Sequence, residues 1–317
     1  MTLALGLFLA ALLIGLLAPR YLQIAVDPGV HPRLALLAWT GSLATMLAAA
    51  LGSAALLAFP ARANVDGIIG MTHTCVNVAR SGGVPGLRLI VAPLVGAALF
   101  AALVWFGLVA ARVLVRNLRW RRSHLSLVRA CGTEEHDWRG TTVFWLDQHA
   151  PVAYSLGGRN GTVVVTKGVA ELPASQRAAI LAHEHAHLRA RHHLLVLAAE
   201  ACARAFPFLP LCRSAPPILR MLVELSADAC AAREHGSRSV RDALRTLADG
   251  HPSAPVPALG MSRDAVRARL RWLGPERAPE RRADFALTAV FSAVPVLAAI
   301  AVSVALVLFY CYALRPA

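Results

Sequence analysis

Residues 178–188 read Ala178-Ala179-Ile180-Leu181-Ala182-His183-Glu184-His185-Ala186-His187-Leu188. The stretch has helical composition, and its H-E-x-x-H core projects His183 and His187 from one face, one turn apart, toward a single metal ion. Glu184, beside the first of them, can take a proton from water attacking at that ion. These three residues are the minimum equipment for zinc-assisted peptide hydrolysis, with one Zn2+ per chain. His185 lies about 200° around the helix from His183 and cannot share the ion. Histidines crowd this region through His192 and His193, and a solvated polar face is the expected setting for His185, His192 and His193.

Reading outward, Leu172-Pro173-Ala174-Ser175-Gln176 resembles a helix start, with proline early and a polar residue after it. Apolar Ile180, Leu181, Leu188, Leu194, Leu195 and Leu197 predict one continuous helix anchored on a core, with Glu200 far along it. Downstream, a helical stretch over about 217–235 carries Glu224 and Asp228, four apart and therefore facing the same way. Glu224 is the expected third metal ligand. Asp228 is expected to accept the spare N–H of a ligating histidine and so hold its tautomer.

A mean hydropathy of +0.55 and 57% hydrophobic residues exceed what an ordinary soluble domain carries. The excess lies in four uncharged runs, 2–18, 34–59, 89–111 and 285–314, each long enough to cross a hydrocarbon core of about 30 Å. The first has no basic residue ahead of it, since Arg20 comes first, so it reads as a spanning helix and not a signal peptide. Fourteen arginines flank one side of these runs: Arg20 and Arg33, six between Arg112 and Arg129, and six between Arg267 and Arg282. Four lie on the other side, namely Arg62, Arg80, Arg88 and Arg315. The positive-inside rule then places the segment 116–283 in the cytoplasm and both termini outside a cell membrane. The expected division is a three-helix transmembrane region over 1–115, a metallopeptidase domain over 116–283, and a fourth spanning helix with a short outside tail over 284–317.

The net charge of +14 invites a nucleic-acid partner, but direct nucleic-acid binding is not expected. The charge is nearly all arginine, with Lys167 the only lysine, and it crowds the membrane-proximal ends of the central segment. Residues 263–273 read as a basic amphipathic helix, with Val266, Leu270 and Leu273 on one face and Arg267, Arg269 and Arg271 elsewhere, suited to an anionic lipid surface. The six cysteines form no C-x-x-C pair and read as small buried residues. Within 116–283, strands are expected at 141–146, 152–156 and 162–166, the last two joined as a hairpin through Gly157–Gly161. Helices are expected near 240–248 and 262–273. Pro207, Pro210, Pro216 and Pro217 mark a break between the two site helices.

Taken together, the words Leu172-Pro173, Ala178 through Leu188, Glu224 with Ala227-Asp228, and Arg267 through Leu273 resemble the integral-membrane zinc metallopeptidases typified by the BlaR and MecR sensors. The resemblance implies four transmembrane helices and an α+β zincin-like domain between the third and fourth. It implies His183, His187 and Glu224 on zinc, Glu184 as general base, and a cytoplasmic transcriptional repressor among the candidate substrates. The sensors carry a penicillin-binding domain after the last span, whereas Lys167 has Val164 three residues before it, so no S-x-x-K is present and covalent β-lactam sensing is not expected. HtpX/Ste24-type membrane proteases share the two site motifs and are the alternative. A third reading, a histidine-rich membrane metal sensor or carrier, has no need of Glu184 or of the Glu224–Asp228 pair. Tyr154, His192 and His235 are weak candidates for oxyanion stabilisation.

Overall fold

Uncharged apolar runs can satisfy their backbone groups in lipid only as helices or closed barrels. The computed structural model, which describes residues 2–25, 32–58, 85–136, 141–158, 161–249 and 263–274 together with Leu297, makes the first three runs helical. They are α1 (Thr2–Ala25), α2 (Pro32–Ala58) and α3 (Pro85–Cys131). All three are long and apolar enough to cross a membrane. Apart from Leu297, the expected fourth span, 285–314, lies outside the described residues. α1 and α2 form an antiparallel pair, closed at one end where the Ser53 hydroxyl donates to the Ala4 carbonyl at 2.7 Å. Ser42 and Thr45 donate to carbonyls four residues back in their own helix, which keeps these hydroxyls paired inside an apolar element.

Each helix outlasts its apolar run. α1 continues past Arg20 to Ala25, and α3 runs 47 residues, about 70 Å, from the membrane run through the arginine-rich stretch without a break. Hydropathy changes where lipid ends, but nothing in Arg112–Arg129 stops a helix.

At the end of α3 the chain enters a four-stranded sheet of order β1-β2-β4-β3, with β1 (Gly132–His136), β2 (Thr142–Leu146), β3 (Ala153–Leu156) and β4 (Thr162–Thr166). β1–β2 and β3–β4 pair antiparallel, and β2–β4 pair parallel. The three expected strands are present. β1, reading Gly-Thr-Glu-Glu-His, was not expected because it is largely exposed and gains strand character only from its pairing with β2. β4 is buried throughout, and its alternation splits the sheet's two faces. Val163 and Val165 face a core shared with Ile180, whereas Val164 joins Val128, Phe144 and Leu156 beneath α3.

The short α4 (Lys167–Ala170) leads into α5 (Ala174–Arg189), whose first free amides, on Gln176 and Arg177, donate to the Pro173 carbonyl. Contrary to the expectation of one continuous helix, α5 ends at a turn where Arg191 takes a left-handed conformation (φ 50°) and α6 (His192–Ala205) begins. α7 then runs Pro210–His235, so Pro216 and Pro217 lie inside the helix and do not break it. Its first half is packed too tightly to unwind: Leu211, Cys212, Ala215 and Leu219 are fully buried. Gly236, with φ 80°, closes α7 by donating its N–H to the Ala232 carbonyl. α8 (Ser237–Asp249) and α9 (Arg263–Trp272) complete the described elements.

The largest core joins α1 and α2 to α6 and the first half of α7, and includes Leu22, Trp39, Met46, Leu209 and Leu219. Gly15 permits the closest approach: a Cβ there would stand 3.2 Å from the Leu209 side chain and 3.3 Å from Met46. The turn between α6 and α7 is therefore seated against the middle of the α1–α2 pair. A second core binds α5, the rest of α7, α8 and α9 through Ala182, Leu225, Val240, Leu244 and Leu273. Of the cysteines described, Cys202, Cys212 and Cys230 are buried as expected, and Cys131 is exposed.

Candidate active site

The i, i+4 spacing on α5 brings the rings of His183 and His187 together, their Nε2 atoms 3.1 Å apart. α7 packs across α5 and delivers Glu224, with Oε2 3.4 Å from His183 Nε2 and Oε1 3.5 Å from His187 Nε2. Ligands held about 2.0–2.1 Å from a tetrahedral zinc stand about 3.3 Å from one another. The three observed separations bracket that value, and the two imidazoles and one carboxylate are donors zinc accepts. The residues fit the ion. Among the described residues this is the one group of three or more potential ligands in such proximity.

Behind the first histidine, Asp228 Oδ1 lies 2.9 Å from His183 Nδ1, off the line of the ring N–H, so the contact acts largely through charge. Behind the second, His192 Nδ1 lies 3.0 Å from His187 Nδ1. His192 is 1% exposed, which corrects the expectation of a solvated residue. Burial, aided by the charge environment of His187, lowers its pKa to about 3. A neutral His192 can accept the His187 Nδ1 proton and leave Nε2 of His187 free for a metal. His185 is also buried, on the far side of α5 beside His235. The turn at Arg191, where α6 begins, brings His192 behind His187.

One site residue escaped the sequence reading. Arg269, on α9, is 6% exposed, and its guanidinium holds both carboxylates of α7. Nη1 stands 2.9 Å from Glu224 Oε2, while Nε and Nη2 donate to the two oxygens of Asp228 at 2.7 and 2.8 Å. Arg269 therefore does not serve a lipid surface. The signal was available: Arg269 is three residues after Val266 and four before Leu273, which puts it on the edge of the apolar stripe and not opposite it.

These contacts set the site's charge. Burial opposes ionisation of Glu224, but Arg269 and then His183 outweigh it and hold the carboxyl at about 2. Asp228 is held well below the usual carboxylate range in the same way, again chiefly by Arg269 against its burial. His183 loses charge stability by burial, yet the adjacent Asp228 and Glu224 carboxylates lift it to about 10. The two carboxylates thus favour positive charge at His183, as a divalent ion bound there would supply. Burial lowers His187 to about 4, so that ring is already neutral.

Glu184 is buried alongside, and burial raises its carboxyl above the ordinary range; the Ser155 hydroxyl on β3 hydrogen-bonds to it. Alternation along β3 turns Tyr154 to the opposite face, where its hydroxyl meets His124 Nε2 at 2.7 Å. Tyr154, which lines the cavity with Ser155, is thus held by His124, His192 is held behind His187, and His235 lies beside His185. The site opens into a cavity of about 700 Å³ bounded by α3, β3, α5, α6, α7 and α8. Glu200, expected far along the metal helix, instead lines this cavity from α6 and pairs with Arg220 at 2.5 Å.

Residues 115–214 match the model of Peptidase family M48, a family of zinc metallopeptidases. The match spans the second part of α3, the sheet, α5, α6 and the start of α7, and contains His183, Glu184 and His187. It reaches the family and does not single out the BlaR/MecR type, and it ends before Glu224, Asp228 and Arg269. No curated protein and no solved structure matches the chain.

Proposed function

We propose that this chain is a membrane-embedded zinc metalloendopeptidase that cleaves a protein substrate in a signalling or regulatory role. The observation that carries the reading is the convergence of His183, His187 and Glu224 at ligand spacing, with buried Glu184 beside them and β3 at the edge of the sheet among the described residues. Bound zinc would polarise the scissile carbonyl and lower the pKa of water toward about 7. Glu184, its carboxyl raised by burial, takes the proton of the attacking water and hands it to the leaving amine. Ser155 orients that carboxylate. Arg269 and Asp228 fix Glu224 and His183.

The substrate lies extended along β3, because β4 is enclosed between β2 and β3 and has no free edge. Fourteen arginines against four favour a cytoplasmic site with both termini outside. The Arg33 guanidinium at the start of α2 donates to Cys230 Sγ at 2.8 Å, which supports placing the α1–α2 connection on the same side as the site. A cytoplasmic transcriptional repressor is the candidate substrate by resemblance to the sensor family. HtpX/Ste24-type quality control is the second reading, favoured by the packing of the α6–α7 turn against the apolar helices α1 and α2 through Leu209, Gly15 and Met46. The test is Glu184→Gln in the full chain. About one zinc per chain should remain, peptide hydrolysis should fall by about 10² or more, and the variant should trap its substrate in the native host. Turnover within about tenfold of wild type would refute the hydrolytic role, and several metals per chain would favour a metal carrier.

A further inference from the structure

One stripe of α3 faces the cavity, and it is strongly basic. Arg116, Trp120, Arg121 and His124 all line the space that opens from the metal ligands. Of the acidic groups lining the same space, Glu224 and Asp228 pair with Arg269, Glu200 pairs with Arg220, and Glu184 stands beside the metal ligands, where Ser155 hydrogen-bonds to it. Arg116 and Arg121 pair with no carboxylate among the described residues, and Nε of Arg121 is buried without a partner there.

Arg121 also sits at a defined place along the substrate edge. Its guanidinium lies on the α-carbon of Gly158, so close that a Cβ at that position would overlap it; the His193 ring lies in the same way on Gly157. These glycines directly follow β3. Ser155, which meets Glu184, is three residues before Gly158, a distance of about 10 Å along an extended chain. A peptide paired to β3 with its scissile bond at Glu184 therefore runs past Arg121 about three residues away.

We propose that Arg121, assisted by Arg116, forms an anion-binding subsite that selects substrates with an aspartate or glutamate about three residues from the scissile bond. The proposal rests on the peptidase reading and on β3 as the substrate's edge. It makes Arg121 a specificity residue, with no part in the proton transfers at Glu184.

Equilibrium binding tests it without turnover. Full-length Glu184→Gln protein, zinc-loaded in phosphatidylcholine nanodiscs, is titrated with fluorescein-labelled alanine–leucine decapeptides bearing one Asp, Asn or Lys at each successive position. At one position Asp should bind about tenfold more tightly than Asn. Adding Arg121→Gln should erase that difference, and Arg121→Glu should reverse it in favour of Lys, a gain that a misfolded protein cannot show. Equal binding of Asp and Asn peptides throughout, or an Asp preference that survives Arg121→Gln, overturns the proposal. Loss of the preference in phosphatidylglycerol nanodiscs, with wild type but not Arg121→Gln retaining that lipid, also overturns it and identifies a headgroup site. Cleavage of the same peptides by wild-type protein separates the two readings. Asp-dependent binding without cleavage would sink the peptidase and keep the subsite, and cleavage indifferent to Asp would do the opposite.

Discussion

Replacing Arg269 by methionine removes the guanidinium that Glu224 and Asp228 share at 2.7–2.9 Å, and leaves the two buried carboxylates with only the His183 ring between them. Breaking a buried ion pair by deleting one partner costs about 3–5 kcal/mol, because the remaining charge is left out of water and under-compensated; here two carboxylates would share the single charge of His183. At about 2–4 °C per kcal/mol for a domain of this size, the metal-free protein should melt about 6–20 °C below wild type. Zinc held by His183, His187 and Glu224 would supply positive charge close to both carboxylates, so the deficit should shrink in zinc-loaded protein. Arg269→Lys should recover part of the loss, since an ammonium cannot serve two carboxylates in the planar manner of a guanidinium. The double variant Arg269→Met with Asp228→Asn should be more stable than the sum of the single effects, as required when the two residues share one interaction. Scanning fluorimetry of the detergent-solubilised full chain, with and without a chelator, reads all of these. If metal-free Arg269→Met melts within about 2 °C of wild type, the guanidinium is not the counter-charge of the site and the reasoning fails.

Glu224→Ala should lower both zinc content and activity, whereas Asp228→Ala should retain metal at an affinity weakened about 10–100-fold; full zinc and full turnover in Glu224→Ala would mean another residue completes the site. Because His183 is lifted from 6.5 to about 10 in the metal-free fold, its contribution to stability is complete below 6.5 and is lost as pH rises toward 10. Melting of the metal-free protein should accordingly decline across that window and Asp228→Asn should flatten the decline; a flat wild-type profile would contradict the His183–Asp228 pairing. For topology, cysteines introduced near Thr2 and Pro316 in a background free of native cysteines should label from outside intact cells, and those near Ser123 and Ala278 only after permeabilisation. The reverse pattern would put the site outside the cytoplasm and remove cytoplasmic repressors as substrates.

Whatever depends on one element's own period was legible in the sequence. Four-residue spacing put His183 over His187 and Glu224 over Asp228 wherever the helices lie, and short runs of strand-forming residues, the last two joined by a glycine-bearing loop, marked β2, β3 and β4. Apolar length alone marked α1, α2 and α3 as capable of crossing a membrane. What required the tertiary structure was which surfaces meet. The turn at Arg191 moved His192 from a solvated face to the back of His187. Strand order left β3 as the free edge and enclosed β4, although both read as strands of similar length. The α6–α7 turn, whose prolines looked like a linker, became part of the core of α1 and α2 because Gly15 leaves room for Leu209. Arg269 looked like one arginine among many until α9 docked and turned it toward two carboxylates. Periodicity fixes angles within an element, but the face that becomes buried and the charge that meets its counter-charge depend on neighbours distant in sequence.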